Sequence, residues 1–249
     1  MSMYDRAFGI EFEMGARGPA IRGSLDRYGT NKYRRFQQVL LDNGLDDFNI
    51  GHDGTEFEVR TPPLSGPNGL KKIKKFLSVV LSPEVGGFVT NADGLHIHHD
   101  APEFVDDSEL TLRLVENWIA NQYNALKMVH PRRVNSIHCP QWSSIELDRI
   151  RTRIANNARP YTDYGRKNLN INALYRHGTI EFRCHEGTLE YDEILSWVRF
   201  GQAFIDSALR DESIAPSTDV NDLLNNVRVS RFANRFLPRK ANQMAQIAW

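Results

Sequence analysis

The chain lacks most features that would assign it to a specialised class at sight. Cysteine is nearly absent: Cys139 and Cys184 are the only 2 in 249 residues. They are too few and too far apart for a disulfide framework, so a reducing, cytoplasmic compartment is expected. No run approaches the roughly 18 apolar residues a membrane span needs. The opening Met1-Ser2-Met3-Tyr4-Asp5 carries neither the basic nor the apolar segment of a secretory signal, and none is expected. Net charge is missing too. Lys plus Arg and Asp plus Glu each number 31, which removes any global pull toward nucleic acid or an anionic membrane. Internal repeats, low-complexity tracts and long linkers are also absent.

Acids are absent from the end of the chain. None follows Asp222, whereas Arg228, Arg231, Arg235, Arg239 and Lys240 are basic. Such a tail reads as solvated surface or as a docking patch for an acidic protein partner. What is present is ordinary in bulk: 41% hydrophobic and 25% charged residues describe a globular chain with a substantial core.

The informative feature is a pattern. Phe8-Gly9-Ile10-Glu11-Phe12-Glu13, Thr55-Glu56-Phe57-Glu58-Val59 and Thr179-Ile180-Glu181-Phe182-Arg183 place charged groups on alternate residues. Gly94-Leu95-His96-Ile97-His98 does the same with imidazoles. A strand has a side-chain period of two, so each pair shares one face while Phe or Ile packs on the other. Carboxylates beside a core are costly unless cations meet them. Five glutamates, two histidines and an arginine on one sheet face suit divalent cations and a polyphosphate. Cys184 alternates away from Glu181 and Arg183, which argues against a nucleophile there.

The remaining chain supplies hairpins and helices. A first strand is expected over residues 6–14, then a Gly- and Arg-rich loop to Thr30 and a helix over 31–42 closed by Asn43-Gly44. Residues 46–52 and 55–61 read as a hairpin turning at Asp53-Gly54. A helix over 69–81 turns Lys71, Lys72, Lys74 and Lys75 to solvent. A strand over 89–99 carries the histidines, with a break at Asp93-Gly94, and a long helix spans 108–129. Residues 132–167 are rich in arginine and show no clean motif. A second hairpin is expected from 168–174 and 179–184, then a helix over 191–209 and a short helical tail. Hairpins alternating with helices predict an α+β fold, an antiparallel β-sheet with helices packed on one face. Its catalytic domain would cover 1–212, and 213–249 would form a basic helical tail packed on the same domain.

Taken in order, these motifs resemble the carboxylate–amine ligases of the glutamine synthetase and glutamate–cysteine ligase fold, and most closely the compact amidoligases of microbes and phages. The resemblance rests on Phe8 to Glu13; on Asp53-Gly54-Thr55 with Glu58-Val59-Arg60-Thr61-Pro62-Pro63; on Asn91 to His98; and on Asn168 to Leu174 followed by Gly178 to Arg183. It implies a sheet like that of the glutamine synthetase catalytic domain, binding ATP and Mg2+, with Mn2+ as the alternative cation. It also implies that Glu11, His96 and Glu181 surround the cation facing the β- and γ-phosphates, and that Glu13 and Glu58 hold one nearer the acceptor carboxylate. His98 would lie near the nucleotide or acceptor, and Arg183 would meet the transferring phosphoryl group. Glu56 is either a further ligand or hairpin surface, and Arg166, Lys167 and Asn170 are candidate nucleotide or substrate contacts. The expected partners are a small-molecule or peptide carboxylate and an amine. Two other readings stand beside this one: a metal-dependent hydrolase using His96 and His98, which would need no nucleotide, and an inactive binding protein on the same fold.

Overall fold

The computed structural model describes residues 6–22, 30–51, 56–163, 166–210 and 213–247. Strand β1 (Phe8–Ala16) is the organising element. Phe8, Ile10, Phe12 and Met14 are buried on one of its faces, and Glu11 and Glu13 stand on the other. Around it, β2 (Asn49–Gly51), β3 (Phe57–Arg60), β5 (Gly94–Asp100), β6 (Leu169–Asn170) and β7 (Thr179–Glu186) build an antiparallel sheet in the order β2-β3-β1-β5-β7-β6. A short β4 (Gly87–Phe88) pairs with the end of β1.

Helices cover one face. From α1 (Thr30–Asp42), Phe36 meets Phe57 with ring centroids 5.1 Å apart, and from α2 (Gly66–Val80), Phe76 meets Phe12 at 4.9 Å. Trp118 of α3 (Ser108–Leu126) lies 5.4 Å from Phe182, and Phe204 of α7 (Tyr191–Leu209) lies 6.4 Å from it. Burying each such ring contributes roughly 1.5–3 kcal/mol. A one-residue slip of β1 would put Glu11 and Glu13 where Ile10 and Phe12 now meet the core, so the register is strongly specified. His99 also lies on the covered face, against Phe182 and Gly201. Burial there pushes its imidazole down to about 3, so it is neutral. The architecture is α+β with helices on one side, as the alternating pattern requires.

Local departures from expectation have readable causes. Strand β5 starts at Gly94, because Thr90–Asp93 is a turn in which Asp93 Oδ2 accepts from Thr90 N at 2.5 Å. The second hairpin is asymmetric. Asn170 Oδ1 accepts from Asn172 N at 3.0 Å, and this side-chain turn ends β6 after two residues. A helical turn, α6 (Leu174–His177), follows and closes on Gly178 at φ +69. The arginine-rich stretch holds α4 (Pro131–Val134) and α5 (Ser144–Ala155), the latter opened by a Ser143/Glu146 capping box. The tail forms α8 (Val220–Asn226) and α9 (Arg231–Met244), whose Leu223, Leu224 and Leu237 join the same core as the sheet. The expected Asp53-Gly54 turn and much of the Gly15–Thr30 loop lie outside the described residues. Among the described residues, no helix is long and apolar enough to cross a membrane.

Candidate active site

The uncovered sheet face collects charged side chains from neighbouring strands by register. Glu11 sits opposite Arg60 on β3 and His96 on β5, Glu13 opposite Glu58, and His98 opposite Glu181. Between the pairs Leu95–His185 and Ile97–Phe182, the single His96 of β5 faces both Arg183 and Cys184 of β7. This bulge leaves Arg183 beside Glu181 on the open side, while Cys184 is fully buried in the core. Burial pushes the Cys184 thiol up, so it is inert as a nucleophile.

Three ligand-type atoms converge, from Glu11, His98 and Glu181, all within 4.8 Å of one another. His98 Nε2 lies 3.6 Å from both Glu11 Oε1 and Glu181 Oε1, and its Nδ1 contacts Thr179 Oγ1 at 2.9 Å, which orients the ring. Burial alone would raise the Glu11 carboxyl, but hydrogen bonds and charge from His96 and His98 outweigh it and hold Glu11 well below the usual carboxylate range. For His98, burial lowers the imidazole, and Glu11 and Glu181 reverse that so the net direction is up. Glu181 is 3% exposed, and a carboxylate buried so deeply costs several kcal/mol unless it is paired. Asn170 Nδ2 donates to its Oε2 at 2.7 Å and Arg183 Nη1 to its Oε1.

The other expected ligands surround this trio. His96 bridges Glu11 (Nδ1–Oε2, 3.2 Å) and Glu13 (Nε2–Oε1, 3.7 Å). Glu13 Oε2 also accepts from Gly94 N at 2.6 Å. A Cβ on Gly94 would come within 3.0 Å of His96 Nε2 and Arg133 Nη2, so glycine permits this close approach. Glu58 is buried and pairs with Arg60, whose Nε is also 3.7 Å from Glu11 Oε1. Glu56 stands apart, half-exposed, with Lys32 at 3.3 Å. Lys167 is turned away: its ammonium pairs with Glu146 and donates to the Gln141 carbonyl at 2.9 Å.

Two hollows meet at the trio. One, of about 170 Å³, is lined by Glu11, His98 and Glu181 together with Arg166, Arg176 and Arg183. The other, of about 730 Å³, extends over Gly9, Arg60, Thr61, His98, Asp100 and Thr179. His177 lines both. Arg183 Nε is buried without a hydrogen-bond partner among the described residues, a donor suited to an anion. The donor set also fits a divalent cation: two carboxylate oxygens and an imidazole nitrogen converge from a fixed sheet face. Arg60 was legible as a same-face neighbour of Glu58. Arg133, Arg176 and His177 were not, because helical turns rather than strand periodicity bring them here.

A second trio lies behind the sheet. His185, Glu186 and Glu193 have similar spacing, but Lys240 of α9 already occupies their centre, 2.7 Å from Glu186 Oε1 and paired with Glu193.

The sequence profile of a family described as "Putative amidoligase enzyme" matches residues 27–205. Among solved structures, a chain titled a novel glutamine synthase homolog is similar at 14% identity with a TM-score of 0.37; the match covers 96% of this chain and 64% of that one. No curated protein matches significantly.

Proposed function

This chain belongs to the amidoligase family, and we propose that it is an ATP- and magnesium-dependent carboxylate–amine ligase that forms an amide or isopeptide bond through an acyl phosphate. The observation that carries the reading is one hollow in which Glu11, His98 and Glu181 face Arg166, Arg176 and Arg183. Carboxylates opposed to guanidiniums across a small space suit a cation-bound polyphosphate better than either ligand alone. Glu11, His98 and Glu181 would hold the cation, with Glu13, Glu58 and His96 available to a second. A divalent cation there would neutralise charge on the terminal phosphates.

The residues of the chain then act by position and counter-charge. Arg183, with Arg166 and Arg176, orients the γ-phosphoryl group, a task suited to permanently charged planar donors. Asn170 holds the Glu181 rotamer. The 730 Å³ hollow takes the carboxylate and the amine, with Arg60 at one wall and Asp100 at another. A carboxylate oxygen attacks the γ-phosphorus as the bond to the β–γ bridging oxygen breaks, releasing ADP. The amine then forms the C–N bond, the acyl C–O bond to phosphate breaks, and phosphate and a proton leave. No protein nucleophile is required, consistent with the inert Cys184. Two free cysteines suit a cytoplasmic enzyme.

Trapping the intermediate tests this. Offered ATP, magnesium and a panel of amino acids and short peptides, the protein should convert hydroxylamine into a hydroxamate, with ADP and phosphate in equal amounts. AMP and pyrophosphate would overturn the mechanism and keep the ligase. Carboxylate-independent turnover without nucleotide would favour a hydrolase, and no turnover across the panel would favour a binding protein.

A further inference from the structure

Helix α9 lies beyond the family match and carries a surface that the ligase chemistry does not use. Its inner stripe is Ala233, Leu237 and Ala241, all buried, and Lys240 is locked onto Glu186 and Glu193. Together these fix the rotation of the helix. The outer side therefore presents Arg231, Arg235 and Arg239 at i, i+4 and i+8, all exposed, with Phe232 at 43% exposure and Phe236 alongside. With Asp192 of α7, these five residues line a hollow of about 460 Å³.

None of the three arginines has an ion-pair partner among the described residues, and the tail has no acid after Asp222 to supply one. Like charges at i, i+4 cost an isolated helix about 0.2–0.5 kcal/mol per pair. The packing of α9 therefore maintains a row that its own electrostatics disfavours. We propose that this face of α9 is a docking surface for an acidic peptide segment of a partner protein, its carboxylates on the arginine row and an apolar side chain between Phe232 and Phe236. Guanidiniums a helical turn apart, about 6 Å along the axis, match carboxylates repeated every four residues on a partner helix and bind them through paired hydrogen bonds. A nucleic acid fits less well. The row is short, Asp192 stands in the hollow, and a net charge of zero gives no long-range attraction to phosphates. A membrane fits less well again, because the apolar stripe of α9 is already spent on the core.

The test uses a fluorescently labelled helical peptide of about twelve residues, long enough to span the row, with Glu every fourth position and Leu between. Full-length protein should bind it, and the same peptide with Gln for Glu should not bind. The triple variant Arg231→Glu, Arg235→Glu, Arg239→Glu should lose about tenfold or more in affinity, and Phe232→Ala about threefold. The melting temperature and circular dichroism of both should match wild type, since each side chain points outward. Arg176→Glu, in the active-site hollow, should bind the peptide normally. The proposal is overturned if wild type does not bind the peptide, or if the triple variant binds it equally well. It is also overturned if an oligothymidylate or a phosphatidylserine vesicle binds wild type more tightly and is the ligand lost in the triple variant.

Discussion

Two trios of the same chemistry sit on opposite sides of this sheet, and their contrast says more than either alone. Glu11, His98 and Glu181 converge on the open face; His185, Glu186 and Glu193 converge beneath it. Residue types and spacing are alike, yet among the described residues only the first trio lines a hollow. Beneath the sheet, Lys240 supplies the positive charge from within the chain. Glu186 also accepts from His130 N at 2.8 Å, and Glu193 from Thr188 Oγ1 at 2.8 Å, so both carboxylates are held from within the chain. On the open face Arg183 and Asn170 also hold Glu181, but there Glu11, His98 and Glu181 line a hollow. A cluster of two carboxylates and an imidazole suits a cation where the fold leaves that position accessible, as our proposed function requires of the first trio. Where the fold fills that position, the cluster is a structural latch, here tying α9 to the end of β7.

The largest expected effect comes from disabling the open trio. Glu181→Gln should lower ligase turnover about a thousandfold, the scale of losing one preorganised charge at a reacting centre. Its melting temperature should fall, because Gln leaves Arg183 and His98 without their charge partner at that position. Wild-type turnover of this variant at limiting magnesium would erase the distinction between the trios.

Breaking the closed trio should do the reverse, acting on stability first. Lys240→Ala strands Glu186 and Glu193 without their cation, and removing one partner of a buried pair costs about 3–5 kcal/mol. Urea unfolding measures the loss. Lys240→Met keeps the apolar stem and should lose nearly as much, which separates charge from packing. A loss below about 1 kcal/mol in both would mean that Lys240 is not the latch.

Acid sharpens the same contrast more gently. Burial raises the Glu186 carboxyl, but His185 and Lys240 outweigh it and hold it down to about 2, against 4.5 ordinarily. The sign follows from proton uptake. Above pH 4.5 both states are ionised and the contribution is complete; between 4.5 and 2 the unfolded chain binds a proton that the folded one refuses. Stability should therefore fall on acidification through that window, by on the order of 1 kcal/mol per pH unit. Glu186→Gln should be less stable at neutral pH and show a flatter profile between those limits. An unchanged slope would show that Glu186 does not carry the acid response.

Periodicity made much of this legible in advance. Alternation of Phe and Ile with Glu and His in β1, β5 and β7 specified which side of the strands meets the helices and which meets solvent. The α7 boundaries at Tyr191 and Leu209 follow from apolar spacing. The closing hairpin was read too regularly, because a single Asn170–Asn172 bond turns the chain out of the sheet. The tail was read too simply, because α9 has an inner face only in relation to α7.

What the sequence determined by itself is the inventory and its sidedness. A strand puts alternate residues on one face whatever surrounds it, so Glu11 with Glu13, His96 with His98, and Glu181 with Arg183 were paired before any partner strand was known. What only the tertiary structure decided is which members of different pairs meet. Strand order brings both histidines of β5 to Glu11 and Glu181, His96 Nδ1 at 3.2 and 3.7 Å and His98 Nε2 at 3.6 Å from each. Long-range packing also sets Arg166 and Arg176 around the hollow that the trio lines. The same long-range packing delivers Lys240, more than 50 residues away in the chain, to Glu186. Local periodicity is a property of the backbone, but a site is a set of distances between distant residues, and those exist only once the core has packed.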